Sequence, residues 1–287
     1  TTLLWGGVLV LLLTGSMITL VRQFVARIGL PLVILSLLWL SWQFFGKVQV
    51  QGWDAFWQRT GDGSMGMPSA IDLVIAMPVS WLPLVADYAR YGKGAKGAFW
   101  GTWFGYTVAN VWCYALGVLV ISVAEPGSNL VTALLLAQGG LLALGLILID
   151  ELDNAYGDAY SAAVSTHSMR PSVNIRLWGM GLAAVCTGLA LFLPMHSLEP
   201  FLLTLSSVFV PLYGVILGRL GTRQGPLPSV TRSVDWLAAG LWLLGIVAYH
   251  AIGKFAPEWG SALPTLALTF VLAWLTRPAA SLTRQPA

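Results

Sequence analysis

The sequence predicts an all-α, polytopic membrane protein, and three observations carry that prediction. Hydrophobic residues make up 57% of the chain and charged residues only 9%, with a mean hydropathy of +0.76; a soluble domain carries about 25% charged residues. Nine apolar segments recur at residues 3–21, 28–45, 69–86, 98–123, 140–164, 177–195, 198–218, 233–252 and 261–276. Helices of about 20 residues cross the hydrocarbon core of a bilayer. Basic residues fall almost entirely in alternate connections between these segments.

One set of connections holds Arg22, Arg27, Arg90, Lys93, Lys96, Arg170, Arg176, Arg219, Arg223, Arg232, Arg277 and Arg284. The other holds only Lys47, Arg59 and Lys254. The positive-inside rule puts the first set, and with it the C-terminus, in the cytoplasm. The expected location is the inner (plasma) membrane, with the lipid bilayer as partner. The net charge of +3 is no sign of a nucleic-acid partner, because the basic residues lie between spans. Nine spans with a cytoplasmic C-terminus leave the N-terminus outside, and the chain opens on Thr1 inside an apolar run. It reads as a fragment of a longer protein whose upstream part holds an odd number of spans.

The first two segments are plain apolar spans. The third and its exit read SAIDLVIAMPVSWLPLVADYARYGK. Pro78 and Pro83 each remove a backbone donor and disfavour helical geometry at Met77 and Leu82, so a break is expected around Ser80 and Trp81. A span interrupted at mid-membrane survives only where protein or a cavity satisfies its freed backbone groups, and such spans often form transporter substrate sites. A proline kink in a packing helix is the plainer alternative. Asp72, one turn into the span, is expected at an outer vestibule or solvated at the interface.

Segment 98–123 carries Trp103, Tyr106 and Asn110 on one face, expected to pack, with cavity lining as the alternative. Residues 130–139 follow the breaker EPGSN and are too short to span, so an interfacial or re-entrant helix is expected. Cys113 and Cys186 are expected as small core hydrophobes. Ser206 and Ser207 are expected to hydrogen-bond within their own helix. His167, His196 and His250 lie at span ends on different sides, and no metal site is expected. Of the 14 tryptophans, most fit interface belts or packing. Trp81 stands apart, because an indole between two prolines can stack on a flat ring.

The segment at 140–164 is organised differently. Ile149–Ser161, IDELDNAYGDAYS, holds Asp150, Glu151, Asp153 and Asp158, four of the chain's 12 acidic residues. Helical spacing puts Asp150, Asp153/Asn154, Gly157/Asp158 and Ser161 on one face, with Glu151 about 100° away. An ionised carboxylate at mid-bilayer costs about 2.5–3.5 kcal/mol on insertion scales. None of the nine segments contains a Lys or Arg. Protons, a bound cation or water must therefore neutralise these acids, which points to a cation-coupled pathway.

Three motifs carry a resemblance. Ala86-Asp87-Tyr88-Ala89-Arg90-Tyr91, directly after the broken segment, is similar to the Pro-Asp-Tyr-Ser-Arg-Tyr signature of the nucleobase:cation symporter family of cytosine, purine, allantoin and hydantoin permeases. Asn154 with Asp158-Ala159-Tyr160-Ser161 resembles that family's Asn-(three residues)-Asn-Leu-Tyr-Ser on its eighth helix. Pro211-Leu212-Tyr213-Gly214 resembles the Pro-Leu-x-Gly of its tenth. The order and spacing of segments match helices four to twelve of twelve. Asp150–Tyr156, Asp-Glu-Leu-Asp-Asn-Ala-Tyr, looks most like the hydroxymethylpyrimidine (thiamine-precursor) permeases.

The resemblance implies a LeuT-type fold of two inverted repeats, N-terminally incomplete, within a single transmembrane domain over residues 1–287. Substrate and cation would bind at mid-membrane between the broken first and sixth helices and the third and eighth, the sixth being 69–86 and the eighth 140–164. Trp81 would stack on the substrate ring; Asn154 and Asp158 would lie beside it, Asp158 hydrogen-bonding it. The family's two hydroxyl ligands for sodium correspond here to Leu152 and Asp153. That departure makes Asp153, with Asp150 as helper, the expected cation-coupling residue, for H⁺ or Na⁺. Further departures are Ala86 and Ala89 in the signature, and Arg219-Leu220 where Asp-Tyr is usual.

The expected function is import of a pyrimidine-type nucleobase, hydroxymethylpyrimidine first, by a monomeric cation symporter without a cofactor. A cytosine, purine or allantoin permease of the same family, or an amino-acid or amine carrier of the same fold, are the alternatives. A membrane-embedded enzyme would use the acids for metal or acid–base chemistry, but such enzymes usually pair them with His or Lys donors that these segments lack. A channel or receptor scaffold is the third class. Uphill accumulation of substrate driven by an ion gradient separates the three.

Overall fold

The computed structural model describes residues 2–14, 25–61, 63, 65–89, 92–125, 130–193, 198–221 and 235–276. Among them the secondary structure is helical, without strands. Six helical stretches are long and apolar enough to cross a membrane: Arg27–Gln51, Met67–Ala86, Ala95–Val123, Ile175–Phe192, Glu199–Gly221 and Trp236–Phe255. Thr2–Leu13 and Ala262–Leu275 are apolar but shorter. The helices leave many large apolar side chains exposed along their length, including Leu35, Trp42, Phe104, Leu141, Leu177 and Val247. Surfaces of that extent mark contact with lipid or protein, and the chain is a multi-pass, all-α membrane protein. It divides into two compact units.

The first unit comprises Thr1–Thr60 and Ala86–Met195. Its helices are α1 (Thr2–Leu13), α2 (Leu30–Gln51, entered through a π-helical turn at Val25–Gly29) and the short α3 (Trp53–Trp57). After α4 and α5 (below) come α6 (Ala95–Val123), α7 (Leu130–Leu134), α8 (Gly140–Met169) and α9 (Ile175–Phe192). Leu40 and Phe44 on α2 and Leu116 and Val120 on α6 are i,i+4 pairs, each presenting one stripe. The two stripes pack together and close over Ala133, Ala137 and Ala143. Trp39 Nε1 donates to the Gln138 carbonyl at 2.8 Å, and Trp112 Nε1 to Ser41 Oγ at 2.9 Å. The five-residue α7 ends in turns at Gly139, whose φ of +73° suits glycine. The segment expected to be too short to span therefore forms a brief helix that leads into α8.

The second unit comprises Gly61–Val85 and His196–Ala287. It contains α4 (Met67–Ser80), the first half of α5 (Leu82–Ala89), α10 (Leu198–Ile216), α11 (Trp236–Phe255) and α12 (Ala262–Leu275). Helix α10 runs on into a π-helical turn, Leu217–Gly221. Small residues let its helices approach closely. A Cβ at Gly214 would overlap Thr269 Oγ1, and one at Gly218 would overlap the Phe270 carbonyl. A Cβ at Gly245 would overlap Pro211 and Thr269, so α10, α11 and α12 meet around that threonine. At the start of α11, Asp235 accepts from Ala238 N at 3.0 Å as an N-cap and from Arg219 at 2.6 Å.

Several expectations change. The break in the third span is a single residue: Trp81 keeps a right-handed helical backbone (φ −89°, ψ −12°) between α4 and α5. Its N–H donates to the Pro78 carbonyl at 3.3 Å, and Leu84 N and Val85 N return to the Trp81 carbonyl at 2.9 and 3.2 Å. Met77 and Leu82 remain helical, contrary to expectation; Ser80 Oγ donates to the Met77 carbonyl at 2.7 Å and helps hold the turn. Cys113 and Cys186 are exposed on α6 and α9 and do not belong to the core. A thiol is small and apolar enough to sit on a lipid-facing helix surface as readily as inside. His196 lies outside the described residues.

Candidate functional site: the acid-bearing helix and the proline-flanked tryptophan

Helix α8 is thirty residues long and carries the acidic stretch near its centre. It packs on α9, α2, α1 and α7. Ala143, Ser161 and Ala163 are buried in those contacts, and Ala163 lies beside Gly179 of α9. Asp150, Asn154 and Asp158 rise along the helix at four-residue intervals, and therefore share a face. Asp150 and Asn154 are half-buried, whereas Asp158 is exposed. Tyr156 and Tyr160, one turn apart, stack with centroids 6.2 Å apart and planes at 18°. The backbone of Asp153 belongs to α8, but its side chain lies outside the described residues.

Glu151 is exposed and lines an open groove of about 350 Å³ between α1, α8 and α9, with Trp5, Leu9, Leu148, Cys186 and Thr187. Asp158 lies seven residues on, close to two helical turns, so the two carboxylates stand roughly in line along α8. Among the described residues neither Glu151 nor Asp158 has an ion-pair partner. Away from its ends, the backbone groups of a helix bond one another. Chemistry on this helix must come from its side chains: carboxylates that accept hydrogen bonds or bind cations, and the Asn154 amide that both donates and accepts.

Trp81 belongs to the second unit, as the C-cap residue of α4, and is half-buried. Asp150, Asn154 and Asp158 belong to the first unit and are brought together by α8 alone. In the signature stretch after the broken span, Arg90 and Tyr91 lie outside the described residues, as do the side chains of Asp87 and Tyr88. On α6, Asn110 Nδ2 donates to the Tyr106 carbonyl at 2.8 Å, and Trp103 is exposed. Among the described residues no group of three or more His, Cys, Asp or Glu side chains is placed to hold a metal ion.

Two polar features of the second unit escape a reading of the sequence. Asp72, expected at a vestibule or the interface, is buried. Its carboxylate accepts from Ser261 N and from Ala262 N, the latter at 2.9 Å, at the start of α12. It is a helix cap supplied from a distant element, and burial makes it unavailable as a vestibule group. Ser207 does bond within its helix, to the Thr204 carbonyl at 2.7 Å. Ser206 does not: it is fully buried, and its hydroxyl has no partner among the described residues.

The fold and site define a helical membrane protein with a thirty-residue helix that carries acids near its centre. No family model matches the chain, and no curated protein or solved structure matches it.

Proposed function

We propose that this chain forms part of a secondary active transporter that imports a pyrimidine-type nucleobase, hydroxymethylpyrimidine foremost, by symport with H⁺ or Na⁺. The observation that carries the reading is α8: a thirty-residue helix with Asp150, Asn154 and Asp158 on one face, and with exposed Glu151 and Asp158 lacking any ion-pair partner among the described residues. Ionisable groups inside a span face a cavity, a pathway or each other, and they mark substrate and ion routes. The proline-flanked turn at Trp81 supports the reading with a half-buried indole at an irregular point of a span. The proposed frame is a LeuT-type inverted repeat with nine spans in this chain and a cytoplasmic C-terminus. In the second unit Trp81 is the proposed ring-stacking residue; in the first, Asn154 and Asp158 are the proposed substrate-reading residues and Asp153 with Asp150 the proposed cation-coupling residues.

The test is uptake of labelled hydroxymethylpyrimidine, cytosine and an amino acid by cells expressing the full-length protein. Saturable, ion-gradient-driven accumulation of a pyrimidine is expected. Accumulation of the amino acid alone would reassign the substrate class. Downhill flux without accumulation would turn the reading to a channel.

A further inference from the structure

The second unit holds three buried hydroxyls without a hydrogen-bond partner among the described residues: Ser206 on α10, Tyr249 on α11 and Thr265 on α12. Their neighbours in the same helices behave differently. Thr204 donates to the Pro200 carbonyl, Ser207 to Thr204 and Thr269 to Thr265, at 2.7, 2.7 and 2.8 Å. Such back-bonding to the preceding turn is the ordinary resort of a helical hydroxyl away from water. Ser206 and Thr265 forgo it.

The three residues lie at neighbouring levels of three packed helices. Thr269 fills the contact between Gly214 and Gly245, which fixes the register of α10, α11 and α12. One turn from that contact toward Ala262 come Val210, Tyr249 and Thr265, with Ser206 one turn beyond Val210. Val210, Tyr249 and Ala262 pack in one cluster, walled by Ile75, Val79 and Leu266. The Tyr249 and Ser206 side chains interact without completing a regular hydrogen bond, and Asp72 is a charged neighbour of the same tyrosine. Each hydroxyl brings a donor and acceptor capacity. In an apolar enclosure such groups stay unpaired only at a cost, and two to four convergent polar partners are what a buried water requires.

We propose that Ser206, Tyr249 and Thr265 form an internal binding site for an ordered water molecule, which joins α10, α11 and α12 through hydrogen bonds. The site is separate from the α8 residues and does not depend on the transport reading. Its position, level with the capped start of α12, makes it a polar pin at the meeting point of three helices, in addition to the bond from Trp242 Nε1 to the Val208 carbonyl at 2.8 Å that ties α11 to α10.

The experiment uses the full-length protein in detergent or nanodiscs. A high-resolution map should show density within about 2.7–3.2 Å of all three oxygens. Ser206→Ala, Tyr249→Phe and Thr265→Val should each lower the unfolding midpoint, by about 2–4 °C, and pairs should cost less than the sum because one ligand is shared. Thr265→Ser keeps the hydroxyl and should retain most of the midpoint. Variants with unchanged or raised midpoints would overturn the proposal, since unliganded hydroxyls are replaced by apolar groups without loss. So would a map without density between the three oxygens. A midpoint raised by NaCl and not by choline chloride, and insensitive to NaCl in Thr265→Val, would assign the site to Na⁺ and overturn water as its occupant.

Discussion

Asp72 caps the helix that begins beside Ser261. Its two carboxylate oxygens accept from the backbone N–H groups of Ser261 and Ala262, across 189 and 190 residues of chain. The first backbone donors of a helix have no partner within it, and their aligned dipoles favour a negative charge. Asp72 answers both needs and is itself buried in doing so. Gly260 leaves room for the arrangement, with φ +67° and space that a Cβ would occupy at 3.1 Å from Asp72 Oδ1 and 3.2 Å from the Pro68 carbonyl.

Asp72→Ala therefore strands two buried donors at about 1–3 kcal/mol each, and the unfolding midpoint of the purified protein should fall sharply. Asp72→Asn keeps one acceptor and should lose about half as much. A midpoint for Asp72→Ala equal to wild type would mean that water replaces the carboxylate without cost. Gly260→Ala should also destabilise, by about 1–3 kcal/mol for a left-handed non-glycine residue, compounded by the crowding against Asp72.

This cap shows where a sequence stops being readable. Ser261 stands directly before α12 and is by itself a good capping residue, yet its side chain makes no capping bond. Local rules see the serine and cannot see an aspartate that tertiary packing brings from the far end of the unit. Apolar helices were legible because hydrophobicity and helical period are local properties, and six of them are long and apolar enough to cross a membrane. The shared face of Asp150, Asn154 and Asp158 was legible for the same reason. The depth of the break at Trp81 was not: two prolines mark a lost donor, but whether the chain unwinds or only turns depends on substitute bonds such as that from Ser80 to Met77. Ser206 and Ser207 are adjacent and alike in sequence; only the walls of the second unit turn one back onto its helix and the other away.

Close helix contact makes a second stability prediction. Gly214→Val should separate α10 from α12, because the new side chain would fall on Thr269. Overpacking of this kind costs about 1–3 kcal/mol. Loss of folded protein in a detergent melt is the expected result. Thr269→Ala in the same background should restore part of it, and no rescue would place the strain elsewhere.

On the proposed function, Trp81→Ala should abolish saturable pyrimidine binding by the full-length protein, and Trp81→Phe should keep part of it. Ring stacking on an aromatic side chain is worth about 1–3 kcal/mol, equivalent to a loss of roughly 5- to 150-fold in affinity. Binding of wild-type strength by Trp81→Ala would make the residue a packing element at the helix turn.

Asp158 should favour amino-pyrimidines over oxo-bases. A carboxylate accepts from an exocyclic amine, whereas an asparagine at this position could also donate to a ring carbonyl. The bond is charge-assisted when Asp158 is ionised, and stronger than a neutral pair. Competition assays should rank hydroxymethylpyrimidine well above uracil, and Asp158→Asn should narrow the gap. Equal inhibition by both compounds in the unaltered protein would sink the assignment.

Asp153 should separate coupling from binding. It lies on α8 one turn from Asp150, where the resembling family places hydroxyl ligands for its cation, and none of the apolar segments supplies a Lys or Arg to pair with it. The proposed coupling ion is a proton. A bound Na⁺ would instead keep the carboxylate charged. Asp153→Asn removes the titrating group while keeping its size, so substrate exchange should persist and uphill accumulation should disappear. The measurement is paired: counterflow of labelled pyrimidine in proteoliposomes, and net uptake under an imposed ion gradient. Wild-type accumulation in Asp153→Asn would show that the cation is held elsewhere. Accumulation that needs Na⁺ and ignores a proton uncoupler at clamped membrane potential would reverse the preference for H⁺ and make Asp153 a sodium ligand.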